Sequence, residues 1–399
     1  VRRYGRLLIT IALVFAAGAP IWPKLWAEPG EHKHYLYQAR AFLQGRLDID
    51  EAFGDVATYN DRYYVVFPPF PALLITPLVA VFGMHTRTTL VSLALTSLNA
   101  LVLRRIILSL PGGAGMARWG LAAFYLGSAY APSLFQAYES WHFAHIVAVT
   151  CLLGAICESL RHGRGLLVGF LCGLAFLSRH LCIVASIYLA TAVWCTHKNR
   201  PIRARIFNLV LFALSLGACI CGYLLLNYLR FGSPWDTGYQ YLPLEGFLAE
   251  RVAKYGLFHP AYLPANLVHL FLQGFHVKFA PPTLLAVEGM DPLGTSLTFA
   301  SPFVLFALRA RWRKPLLLAA WATVVLSIGI ACCYYNNGFA QNNAQRFTLD
   351  FLPVLMLLVV VGAARGPATW WKAAVGYSIA LNAVAVLVVP LLQKLTFRL

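Results

Sequence analysis

The sequence predicts an all-α polytopic membrane protein, and three observations carry that expectation. Hydrophobic residues make up 59% of the 399 and charged residues only 12%, whereas a soluble domain carries about 25% charged residues. The mean hydropathy is +0.66. The apolar residues fall in runs near the length that crosses a bilayer, about 20 residues, and the basic residues collect in polar stretches between alternate runs. The formal charge of +17 then reads as basic anchors of cytoplasmic loops, and no nucleic-acid partner is expected.

Taken in order, Arg2, Arg3 and Arg6 precede an apolar run from Leu7 to Trp22. A signal peptide has the same order of parts. No good small-residue cleavage site follows, so the run reads as an uncleaved first span with its N-terminus inside and a loop from about Pro23 to Tyr64 outside. The next run, Val65 to Phe82, contains Pro68, Pro69, Pro71 and Pro77 and is barely long enough to span. If it spans, the loops with Arg104, Arg105 and Arg118, Arg161 and Arg164, Lys198 to Arg205, Arg309 to Lys314, and Arg365 and Lys372 all fall outside, against the positive-inside rule. If it lies at the interface as a proline-broken helix, those loops fall inside. Every acid but Glu158 then falls outside, and this reading is preferred.

The further spans are expected at 89–109, 116–134, 143–160, 165–178, 181–196, 206–228, 293–310, 315–333, 348–364 and 373–392, about eleven with the first. Between them an outer segment, 229–292, reads as short interfacial helices. The chain divides into 1–228 with a first outer loop at 24–88, then 229–292, then 293–399. No soluble domain, tandem repeat or low-complexity tract is visible. The nine cysteines lie mostly in apolar runs and read as small buried hydrophobes.

The stretch Glu31–Phe70 gathers six of the fifteen acids: Glu31, Asp48, Asp50, Glu51, Asp55 and Asp61. Ionisable residues in a membrane protein concentrate where it works. Glu31 follows the first span closely, at the level where a carboxylate acts on a substrate held in the membrane, as a general base on a hydroxyl; a solvated loop acid is the plain alternative. Asp48-x-Asp50 is a weak divalent-ion signal, and His32 and His34 lack the i,i+4 spacing of a helical two-His site. No metal is expected to be required.

Outer cations complete the picture. Arg346 and Asp350 are four apart at the start of a span, on one face if helical. An Arg in a first turn opposes the helix dipole and needs an anion nearby, either Asp350 or a bound phosphate. Arg179 and His180 sit at an outer turn. Tyr63, Tyr64, Trp141, Trp235, Tyr239, Tyr241, Tyr334 and Tyr335 crowd the same side, as an interfacial belt or as surfaces for sugars.

An acid just after an N-terminal span, then Tyr35, Ala39, Leu43 and Gly45, then Tyr63-Tyr64, Pro68-Pro69 and Pro71-Ala72-Leu73-Leu74, resembles the GT-C glycosyltransferases, and among them the protein O-mannosyltransferases and lipid A aminoarabinose transferases. Asn227 to Tyr239 and Gln345 to Pro353 are similar to bacterial members as well, so the likeness runs through most of the chain. The resemblance implies a GT-C fold with juxtamembrane helices in the first outer loop. It also implies a polyprenyl-phosphate-linked sugar donor, a glycan, lipid or protein acceptor, membrane lipids as surroundings, and chemistry at the periplasmic face of a bacterial inner membrane. Glu31 takes the place of the loop acid, although Gly30 stands where an Asp often precedes it. Asp55 in the same loop and Glu139 in the next are the other carboxylate candidates. Members often carry a Lys directly before the paired prolines to hold the lipid phosphate; here that position is Phe67. The phosphate then falls to Arg346, Arg62, Arg179, Lys33 or His180, with Tyr63, Tyr64, Trp141 and Asp350 on the sugar or acceptor side. The rival readings are a transporter or flippase of lipid-linked sugars, and a polysaccharide polymerase or ligase built on Arg346 or His180.

Overall fold

A computed structural model describes residues 32–311, 314–336, 341 and 343–396. The expected first span at 7–22 and Glu31 lie outside the described residues. Among those described, five helices have the length and apolar character to cross a membrane: Thr88–Ser109, Ser140–Arg161, Ile202–Phe231, Pro315–Cys332 and the composite Ala368–Thr396. Shorter apolar helices, among them Gly165–Phe176, His180–Thr196 and Leu352–Ala363, complete an all-α membrane bundle.

Two helices form its centre. Leu352–Ala363 is buried at every position, and its apolar surface runs all the way round, as a helix inside a bundle requires. Ser140–Arg161 is buried along most of its length, with Ile146, Val149, Leu152, Leu153 and Ile156 almost fully covered. Gly165–Phe176 packs on Ile202–Phe231 through small residues spaced by four. A Cβ at Gly165 would stand 1.8 Å from the Asn208 carbonyl oxygen, one at Gly169 2.2 Å from that of Phe212, and one at Gly173 2.4 Å from Cys219 Sγ. Only glycine lets the two backbones approach this closely, the usual way helices associate in lipid.

The proline-rich run forms a helix at Phe70–Phe82 with Pro77 inside it. Its 13 residues cover about 20 Å, against a hydrocarbon core of about 30 Å. Both ends of this helix stay at one end of the bundle. The Phe70 N–H donates to the Leu177 carbonyl at 2.9 Å. Beyond the helix, the Thr88 hydroxyl donates to the Ala137 carbonyl at 2.7 Å. Leu177 follows Gly165–Phe176 and Ala137 precedes Ser140–Arg161; these two helices are antiparallel neighbours, so 177 and 137 lie on the same side. The run therefore does not cross, and it packs with the His34–Leu43 helix through Tyr35, Leu36, Ala72 and Ile75.

The remaining expectations are refined. The stretch 293–310 is not one helix: it breaks into Leu297–Ala300 and a 3₁₀ segment Pro302–Arg309. The break falls at Ser301, where Pro302 follows and the Ser301 hydroxyl binds the Gly127 carbonyl at 2.7 Å. The span expected from 348 begins at Leu352, because Arg346–Asp350 is a 3₁₀ turn. The segment 229–292 holds the expected short helices, Gly246–Tyr255 and Leu263–Phe271, and also a hairpin pairing Val277–Ala280 with Ala286–Met290. The far end of the bundle carries the basic loops. There Arg164 pairs with Glu158 at 2.6 Å and Arg205 covers the Trp194 ring.

Candidate active site

The first loop is tied to the bundle at its start. The Ser140 backbone N–H and hydroxyl both donate to the His32 carbonyl, at 3.3 and 2.7 Å. His34 opens the His34–Leu43 helix, and its Nε2 lies 2.7 Å from the Gly54 carbonyl. Burial drives the His34 pKa down to about 4, so the ring is neutral and Nε2 donates. This bond fixes the turn that presents Asp55, whose own backbone is left-handed at φ 61°. A non-glycine residue held there is a mark of functional sites. A small hairpin, Ala57–Tyr59 with Arg62–Tyr64, follows.

Asp55 is half-buried where the first loop faces the 3₁₀ turn Arg346–Asp350. The Trp141 indole, in the first turn of Ser140–Arg161, donates to its carboxylate. Burial raises the Asp55 carboxyl above its ordinary value; the charges of His32 and Arg346 and the Trp141 bond pull the other way without cancelling it. A buried carboxylate of raised pKa is a stronger base than a solvated one.

Deeper in the bundle, Arg179 bonds Asp350 with two N–H groups, at 3.3 and 3.2 Å, and His145 Nδ1 is 3.0 Å from Asp350 Oδ1. Burial alone raises a carboxyl, but at Asp350 the charge of Arg179, with the nearby His145 ring, outweighs it and holds it below its ordinary value. Arg346 is 5% exposed, and both it and Arg179 lie over the Phe347 ring, 5.2 and 5.0 Å from its centroid. Burial, then the Arg179 charge, push the Arg346 guanidinium down to about 9, while Asp55 and Asp350 act in the opposite direction. A guanidinium stays protonated at neutral pH, so Arg346 keeps its positive charge in this buried setting.

The structure thus brings together Asp55, Trp141, Arg179, Arg346 and Asp350, with His180 behind them against Tyr223 and Phe176. Arg346 and Asp350 do not form the helical i,i+4 pair expected from their spacing. In a 3₁₀ turn, residues four apart are rotated by about a third of a turn, and Asp350 turns to Arg179 and His145. Arg62 is exposed on the hairpin, where its charge acts on Asp48. Lys33 stands at the head of His34–Leu43. Tyr64 is buried against Phe231, and Tyr63 pairs with Thr58 and Ile49, so both belong to the hairpin's packing. Glu139 immediately precedes Ser140–Arg161 and acts on Tyr138. Asp48 and Asp50 both pair with Arg46, at 2.7 and 2.5 Å. Glu31 lies outside the described residues. The sequence reading missed His145 and Phe347, and weighed His34 only as a metal ligand. The spacing of His142 and His145, three apart at the head of a span, was the available signal.

No protein-family model matches the sequence, and no curated protein matches it significantly. Among solved structures, ArnT from Cupriavidus metallidurans in the apo state is similar over 94% of this chain and 62% of its own, at 14% identity and a TM-score of 0.50. The chain has the GT-C fold. It spans 62% of the length of that ArnT chain. The same ArnT bound to undecaprenyl phosphate matches with a TM-score of 0.49 and 14% identity, over 99% of this chain and 73% of that one. The Archaeoglobus fulgidus oligosaccharyltransferase in the apo form matches with a TM-score of 0.44 and 13% identity, over 98% and 55%.

Proposed function

We propose that this protein moves a sugar from a polyprenyl-phosphate-linked donor to a hydroxyl acceptor on a glycan, lipid or protein. The observation that carries the reading is that half-buried Asp55 and buried Arg346 stand within electrostatic reach of each other at one end of a membrane bundle. There a base and a cation stand together at the level of lipid phosphates. The GT-C fold supports it, since the neighbour ArnT is a lipid A aminoarabinose transferase.

In this reading the acceptor oxygen forms the new bond to the anomeric carbon and its proton passes to Asp55. The bond from that carbon to the phosphate oxygen breaks, and the electron pair leaves with the polyprenyl phosphate. Arg346 and Arg179 stabilise the charge that grows on that phosphate, an electrostatic contribution larger in a buried site than in water. Asp350 and His145 hold Arg179 in place. Trp141 orients Asp55 through its indole N–H and offers a ring face to the sugar. No step requires a metal, because a phosphate is already a good leaving group. The site end carries the acids and the far end the basic loops; by the positive-inside rule this supports a site facing the periplasm from a bacterial inner membrane.

The test is mass spectrometry of cell-envelope glycans with and without the protein, followed by transfer from a synthetic polyprenyl-phosphate sugar in vesicles. Loss of one glycosylated species, restored by wild-type protein and not by Asp55→Asn, is expected. An unchanged glycan profile together with no transfer in vesicles overturns the reading.

A further inference from the structure

A second buried guanidinium stands apart from the Asp350 cluster. Arg230 lies in the last turn of Ile202–Phe231 and is 5% exposed. Its Nη1 donates to the Val65 carbonyl at 3.0 Å, while Nε and Nη2 are buried and meet no hydrogen-bond partner among the described residues. No carboxylate among the described residues pairs with it; its recorded electrostatic neighbours are the hydroxyls of Tyr223 and Tyr64. Next to Tyr223, at 4.7 Å between rings, is His180, whose Nε2 is likewise buried and without a partner.

The plain account of Arg230 is a helix C-terminal cation, favoured by the dipole by about 0.3–1 kcal/mol at an exposed site. That account needs neither the burial nor the unused N–H groups of Nε and Nη2. A buried charge without a counter-ion is strongly unfavourable, and each buried donor left unpaired costs about 1–3 kcal/mol more. An anion with several acceptor oxygens removes both costs at once, and a guanidinium fork matches a phosphate.

We propose that Arg230 binds a phosphate group carried on a lipid. The lipid source is argued from position. Arg230 ends the longest apolar helix described, at the site end. Tyr228 and Leu229, its immediate neighbours, are 54% and 61% exposed on a helix whose outward face is apolar. Arg230 lies on the same side as the Asp350 cluster: the His180 ring, next to Arg179 in the chain, packs against both Tyr223 and Tyr239. The inference deepens the donor reading and rests on it for the identity of the lipid. It adds Arg230 to the cations offered for that phosphate.

The experiment is a thermal-shift titration of the purified full chain in detergent with undecaprenyl phosphate, undecaprenol, phosphatidylglycerol and inorganic phosphate. Wild-type protein is expected to be stabilised by undecaprenyl phosphate and not by undecaprenol. Arg230→Gln should weaken that binding by roughly tenfold or more, the scale of a lost charge-assisted pair, without lowering the melting point of the unliganded protein. Arg230→Lys should recover part of it. Equal response to phosphatidylglycerol makes a bulk headgroup the source, and a response to inorganic phosphate alone makes it free phosphate; both keep the anion site. Unchanged phosphate binding in Arg230→Gln overturns the proposal. So does failure of both Arg230→Gln and Arg230→Met to fold, which makes the guanidinium part of the packing. Arg230-dependent binding without any sugar transfer removes the transferase reading and leaves this site. Normal transfer with an unchanged donor KM in Arg230→Gln removes this site and leaves the transferase reading.

Discussion

Asp350 and Arg179 are 171 residues apart in the chain and joined by two N–H···O bonds at 3.2 and 3.3 Å. The pair ties the turn after Gly165–Phe176 to the head of the central helix Leu352–Ala363, and His145 on the other central helix reaches the same carboxylate. Removing one partner of a buried pair leaves the other charge uncompensated, at about 3–5 kcal/mol. Asp350→Asn should therefore lower the melting point sharply, and Arg179→Met combined with Asp350→Leu should recover much of the loss. Calorimetry of Asp350→Asn, Arg179→Met, Asp350→Leu and the double variant checks this. A double variant as unstable as the sum of the singles would show that the pair is not a coupled unit.

Asp55→Asn keeps shape and removes the base. Turnover should fall by roughly 10²–10⁴, with expression and binding of undecaprenyl phosphate intact. Glu31→Gln and Glu139→Gln, assayed alongside, distinguish the three carboxylates. Near-wild-type turnover in Asp55→Asn moves the role to whichever of the others is inactive while still folded.

Because burial raises the Asp55 carboxyl above the ordinary 3.8, the acid limb of the pH–rate profile should lie above that value, with activity falling as pH drops through it. Arg346 eases ionisation of Asp55, so Arg346→Gln should move the limb to higher pH as well as slowing transfer. A slower enzyme with an unmoved limb separates Arg346 from Asp55.

His34 gives a stability signal of opposite origin. Its folded pKa is depressed from 6.5 to about 4, so protons bind the unfolded chain first. The stability it contributes is fully present above pH 6.5 and is lost as pH falls through that window to about 4. His34→Gln should flatten the melting-point profile over this range and, by freeing the Gly54–Asp55 turn, reduce turnover.

Sidedness is checked by cysteine labelling in a Cys-less background. Asn60→Cys should react with an impermeant reagent from the periplasm, and Arg311→Cys only after permeabilisation. Reaction of both from outside rejects the orientation assigned to the bundle.

Much of this was legible in the chain. Hydrophobic runs and basic loops gave the membrane class, and the conflict between a spanning Val65–Phe82 and the positive-inside rule placed that run at the interface. Asp55, Trp141, Arg179, Arg346 and Asp350 were all visible as polar groups at one end. Their partners were not. Spacing suggested Arg346 with Asp350, but spacing has pairing value only inside a regular α-helix, and this segment is a 3₁₀ turn. Tyr63 and Tyr64 looked like sugar platforms because aromatics at an interface look alike in sequence; a three-residue strand pairing turned Tyr64 inward against Phe231.

By itself, the sequence determined where the chain meets lipid and which end of each helix carries charge. Transfer from water to hydrocarbon is close to a per-residue property, so it survives without knowledge of neighbours. The tertiary structure alone decided that Asp350 neutralises Arg179 and that Asp55 sits under Trp141 beside Arg346. It also decided that Arg230 is buried with the N–H groups of Nε and Nη2 unused. Those outcomes depend on the dielectric and on partners brought from distant segments, and electrostatic energy in a buried site is set by a few ångströms of separation that no local pattern encodes.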